Sequence, residues 1–246
     1  MNLQKTKLAI GGYQDIVRWA EGEHKKFCEE LQKLESDASK AIYVPEKINA
    51  DRISLISNFQ TQMEKRKSDL EEQVKNCLSV YSKERLPYKD TGFALNTVLQ
   101  YLQVAGADIS AAHLKTLLQP IYEANDIDSF NIVSDLLKGR NIELSSKMIK
   151  LSQMDIAIKE HFDNMMRSAD NLTYLAGDEA ISNSLDPAKA LTQMAVGNTF
   201  TGLLKYTDDA KEILQKMADF SEIKEIDDTT SLNGFSFDFT PVNLKF

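Results

Sequence analysis

The sequence predicts an all-α protein, in which a long antiparallel coiled-coil hairpin leads into a multi-helix bundle and then an extended, strand-like C-terminal tail. Three observations carry that prediction. Apolar residues recur at alternating steps of four and three on either side of a break at Tyr43-Val44-Pro45. From Thr91 to Phe220, shorter apolar stretches at helical spacing are punctuated by capping residues and glycines. After Phe220 the period falls to two, as Phe235, Phe237 and Phe239 alternate with Ser236 and Asp238.

The first arm follows Leu3, Leu8 and Ile10 and the pair Gly11-Gly12, which predicts an entry bend or a frayed end because glycine weakens a helix interior. Tyr13, Val17, Ala20, His24, Phe27, Leu31, Leu34 and Ala38 then form one narrow stripe. Leu55 or Ile56, Phe59, Met63, Arg66, Leu70, Val74, Cys77 and Tyr81 repeat it in the second arm. Neither stripe is stable alone, so the two arms fold back on each other at Pro45. At ~1.5 Å per residue, arms of about 35 residues reach roughly 50 Å.

A turn centred near Val44 places residue i opposite residue 88 minus i. That register brings His24 to Glu64 and Glu21 to Lys67, a polar layer of the kind that fixes alignment in an apolar seam. Trp19, the single tryptophan, lies off the seam and is a candidate contact for the rest of the chain or for a partner.

Pro87 and Asp90-Thr91-Gly92 mark a boundary, which divides the chain into a hairpin at 1–86, a helical bundle at 87–222 and a tail at 223–246. Within the bundle, Leu95 to Leu102 predict a helix ending near Gly106, and Ser110 caps the next. Asp126 or Asp128 starts a third, stopped by Gly139. Ser145 or Ser146 opens a long helix closed by Gly177, and Asp186-Pro187 is a strong start signal. Gly197 and Gly202 suggest a break or a close helix contact before a last helix from Thr207 to about Phe220. The methionines of this half read as core filling.

Composition narrows the function. A net charge of −8 argues against nucleic acid as the main partner, since binding phosphates requires concentrated positive charge. The N-terminus lacks a signal-peptide pattern and no stretch is apolar enough to cross a bilayer, which places the chain in the cytoplasm of its cell or host, or in a virion. Cys28 and Cys77 fall far apart in the hairpin register and are expected to be reduced.

No catalytic residue, cofactor or metal is expected. Glu21-x-x-His24 has the spacing of a di-iron half-site, but no second copy surrounds His113 or His161. Asp126-Ile127-Asp128 begins like a calcium loop and then places Phe130, Asn131 and Leu137 where ligands and glycine are needed.

The expected function is therefore non-enzymatic, with protein partners in a homo-oligomer or larger assembly. Trp19 and the tail residues Phe235, Phe237, Phe239 and Phe246 are the candidate contacts, because an unpaired strand docks by adding to another surface. In composition and layout the whole chain resembles bacteriophage or viral structural and morphogenesis proteins. A bundle-type metal protein or enzyme, and a membrane-active helical toxin, are the alternatives.

Overall fold

The computed structural model describes residues 1–40, 44–106, 108–140, 142–177 and 190–223, with the backbone alone for 190–197. The chain is all-α, and no strand occurs among the described residues. Helix α1 spans Gln4–Ser39 and α2 spans Pro45–Glu84. A side module follows, made of α3 (Gly92–Ala105), α4 (Ala111–Ala124) and α5 (Ile127–Leu136). Then come α6 (Ser146–Ser168), α7 (Asp170–Leu175) and α8 (Ala190–Glu222).

The hairpin forms as its pattern requires. Pro45 occupies the first turn of α2, where its missing N–H has no helical acceptor to lose. Tyr13, Val17, Ala20, Phe27 and Leu31 of one arm are buried, as are Phe59, Met63, Leu70, Val74, Cys77 and Tyr81 of the other. Phe27 stacks on Phe59 with centroids 4.0 Å apart. Outside Leu31 and Phe59, none of the described residues toward the tip is fully buried.

The hairpin is half of a larger bundle. Successive neighbours are α1, α2, α6 and α8, and α8 returns to α1. Contacts such as His24 with Phe200 and Gln14 with Thr207 show α8 running antiparallel to α1. Lys150 over Phe220 and His161 near Tyr206 show the same relation between α6 and α8. One continuous core runs from Leu3 to Phe220, and Met148, Met154, Met165 and Met217 are buried in it, as core filling requires. Helices with stripes facing inward from four sides bury far more than a two-stranded seam, which makes the hairpin stable.

The structure corrects several local expectations, among them the helix start at Thr207, which lies inside α8. No bend occurs at Gly11-Gly12, because α1 starts at Gln4 and runs straight through. Gly12 allows a close approach: a Cβ there would lie 2.8 Å from the Gln73 amide nitrogen, which donates to the Ala9 carbonyl at 2.7 Å. Helix α8 likewise passes Gly197 and Gly202 unbroken, and a Cβ at Gly202 would meet nothing within 4 Å. The helix opened by Ser145 stops at Ser168, and α7 turns off before Gly177. The start signal at Asp186-Pro187 and the tail strand lie outside the described residues.

Candidate functional site

The predicted register is close to the one observed. Glu23 meets Arg66, Glu35 meets Arg52, and Phe27 meets Phe59, all within two residues of the expected pairing. The residues of the predicted polar layer are not brought together. Glu21 and Glu64 are exposed, and Lys67 forms ion pairs with Asp170 at 2.5 Å and Glu71 at 3.9 Å. The polar contact across the hairpin belongs to Glu23 and Arg66 instead. Helical pitch explains the shift: the seam positions face apolar side chains, and only flanking positions let two long charged groups meet at the edge.

His24 is turned to the aromatic core. Its ring lies 5.7 Å from Phe59 and 6.1 Å from Phe200, and the Cys28 sulfur is 3.8 Å from Nδ1. Burial lowers the pKa of His24 and raises that of Cys28, which keeps both neutral. A neutral thiol beside a neutral imidazole is the reverse of an activated cysteine nucleophile. Cys77 is also reduced, and burial pushes its thiol up to about 12. Among the described residues, no three His, Cys, Asp or Glu side chains gather as a metal site would require.

Trp19 stands 61 % exposed, and the Arg66 guanidinium lies 5.4 Å from its ring centre. It is therefore an anchored, outward-facing aromatic. Phe235, Phe237, Phe239 and Phe246 lie outside the described residues.

Two polar clusters escaped the sequence pattern. In the first, Asp155 on α6 is 1 % exposed and accepts from the Tyr81 hydroxyl at 2.7 Å and from Lys159 at 2.7 Å. Arg85 is 3.6 Å from the same carboxylate and bonds Asp128 at 2.8 Å. Burial first, and then the neighbouring Asp155 charge, hold the Tyr81 phenol well above its ordinary value. A saturated, enclosed carboxylate of this kind locks α2, α5 and α6 together. No signal separates such an aspartate from a surface one, since it lies at an ordinary helical position.

The second cluster lines a cleft of about 580 Å³ between the α4–α5 corner, the start of α6 and the end of α8. Tyr88, Tyr122, Asn125, Lys147, Ser221 and Ile223 are among its walls. Asn125 ends α4 in the left-handed region at φ 51°, which asparagine tolerates better than most residues. Its amide nitrogen and the Lys147 ammonium both donate to the Ser221 carbonyl, at 3.2 and 3.0 Å, satisfying the last turn of α8.

No helix among the described residues is long and apolar enough to cross a membrane. In comparisons with protein-family models, curated proteins and solved structures, none matches this chain.

Proposed function

We propose that this chain is a non-enzymatic assembly protein that binds protein partners through its hairpin and its C-terminal tail, in the manner of a bacteriophage or viral morphogenesis component. The observation that carries the reading is exposed apolar surface, on the hairpin at Trp19, Val44 and Ile53 and again around the side module. Leu86, Tyr88, Phe93, Val104, Ile132 and Leu136 are each 46 % exposed or more. Helix α3 has the most apolar composition of the short helices, and of its residues only Val98 is fully buried. Exposed apolar groups gathered on one unit are a mark of protein contact surfaces.

The test is a pull-down from the native source with the full chain and with a variant lacking residues 234–246, each sized by light scattering. Loss of the partner complex with an unchanged helical circular dichroism signal is the expected result. Unchanged binding by the shortened variant would reject the tail's role.

A further inference from the structure

We propose that α1 pairs with α1 of a second copy of this chain, antiparallel about a twofold axis that passes beside Asp15. The inference rests on reading the chain as an assembly protein and names a second copy as the partner of its Trp19 face.

That face is the side of α1 turned away from the hairpin seam. Tyr13, Val17 and Ala20 are buried, whereas Leu8 is 75 % exposed and Trp19 is 61 % exposed. Eleven residues, about three turns, separate Leu8 from Trp19, which sets both on one line along the helix. The Arg66 guanidinium, 5.4 Å from the indole centre, already orders Trp19, so little side-chain freedom is left to lose on contact.

Two glycines share the face. Gly11 and Gly22 stand in the interior of α1, where glycine is among the least favourable residues, and they too are eleven apart. Packing within the chain explains neither, since a Cβ at each would meet nothing within 4 Å among the described residues. Gly12, by contrast, makes room for Gln73.

The occupant follows from the symmetry of the spacing. Leu8 and Gly22 stand seven residues to either side of Asp15, and Gly11 and Trp19 stand four. A twofold axis at Asp15 therefore seats Leu8 over Gly22 of the second copy and Trp19 over its Gly11, and the reverse, so each large apolar side chain meets a position that has none. An unrelated helix would have to reproduce that spacing, which a second copy carries by construction. Charge fits as well. Asp15 is the only acidic residue among residues 1–20, and Arg18, 3.6 Å from it in an exposed ion pair, lies one turn on. Across the axis each Asp15 reaches the Arg18 of the other copy, and the acidic surplus of the chain stays away from the contact. A single helix pair buries less than the roughly 1,200 Å² of a standard interface, so the dimer is weak and depends on concentration.

The experiment is analytical ultracentrifugation of the purified full chain from about 1 µM to about 1 mM, where a monomer–dimer equilibrium is expected. Gly22→Leu enters open space, so its helical circular dichroism should match wild type and its Tm should be no lower, while its dimer weakens by about tenfold or more as Leu8 of the second copy loses its seat. Association through an unspecific apolar patch would instead tighten, because leucine adds apolar surface. Under mild oxidation Asp15→Cys should form a disulfide-linked dimer. Lys26→Cys should not, because the axis sets the two copies of position 26 roughly 30 Å apart. A monomer at every concentration, a Gly22→Leu dimer as tight as wild type or tighter, or linkage at position 26 in preference to position 15 would each overturn the proposal. These measurements use the purified chain alone, whereas the pull-down reads other partners through the tail, so failure of the two proposals is distinguishable.

Discussion

Arg66 reaches across the hairpin and holds both carboxylate oxygens of Glu23, with Nε at 3.0 Å and a terminal nitrogen at 2.6 Å. It bonds Asp69 at 3.2 Å as well. Both partners of the cross-hairpin pair are mostly covered, at 20 % and 26 % side-chain exposure, so solvent screens them less than a surface pair. Arg66→Lys keeps the charge and loses the fork, and should destabilise by about 1 kcal/mol in urea unfolding. A double-mutant cycle with Glu23→Gln should recover most of that amount as coupling energy. Additive effects would mean the pair carries no stability.

The hairpin was legible because its signal is local and repeated. Tyr13 and Val17 through Leu31, and Phe59 through Tyr81, repeat one spacing for many turns, and Pro45 suits the first turn of a new helix. The caps at Ser110, Asp126 and Ser145 were legible as well, and each opens its helix as expected; what packs the bundle onto the hairpin was not. Thr207 reads as the start of the last helix, yet it lies inside α8, where it and Asp208 accept from the Gln14 amide at 2.6 and 2.7 Å. Cap residues bond backbone in isolation, and a long-range partner such as Gln14 overrides that preference. The same holds at Gly12, where the reason for glycine is the Gln73 side chain of the other arm. Asn125 was silent too, because left-handed backbone shows only in three dimensions.

Asp155 gives a sharper test of the bundle. Asp155→Asn removes the charge that Lys159 and Arg85 face, leaving a buried guanidinium partly uncompensated, and should cost about 3–5 kcal/mol. Tyr81→Phe removes one donor and leaves those cations in place, so about 1–2 kcal/mol is expected. Thermal unfolding of both variants orders the effects. A Tyr81→Phe loss equal to that of Asp155→Asn would refute the assignment of the cluster to charge pairing.

Phe59 of the second arm is 2 % exposed and stacked on Phe27. Phe59→Ala should cost about 3–5 kcal/mol in urea unfolding, combining lost burial with the cavity beside Phe27 and His24. Phe59→Leu should cost much less, because it keeps most of the volume. Equal costs would mean that the stacking of the two rings, rather than the volume they fill, holds this part of the seam.

His24 lies against the rings of Phe59 and Phe200, and burial holds its pKa below the ordinary 6.5. The unfolded chain therefore takes up a proton as pH falls through about 6.5, while the folded chain resists until lower pH. The stabilisation is fully present above the unfolded value and is lost as pH falls from there toward the folded pKa. His161 acts in the same direction, because burial outweighs the opposing pull of Asp209 and Glu160. Carboxylates also titrate toward acid, so the decisive quantity is the difference between wild type and His24→Gln. Between about pH 7 and pH 5 the wild-type Tm should fall more steeply than that of the variant, with the residual slope including His161. Parallel slopes would mean that the His24 imidazole is as readily protonated in the folded chain as in water.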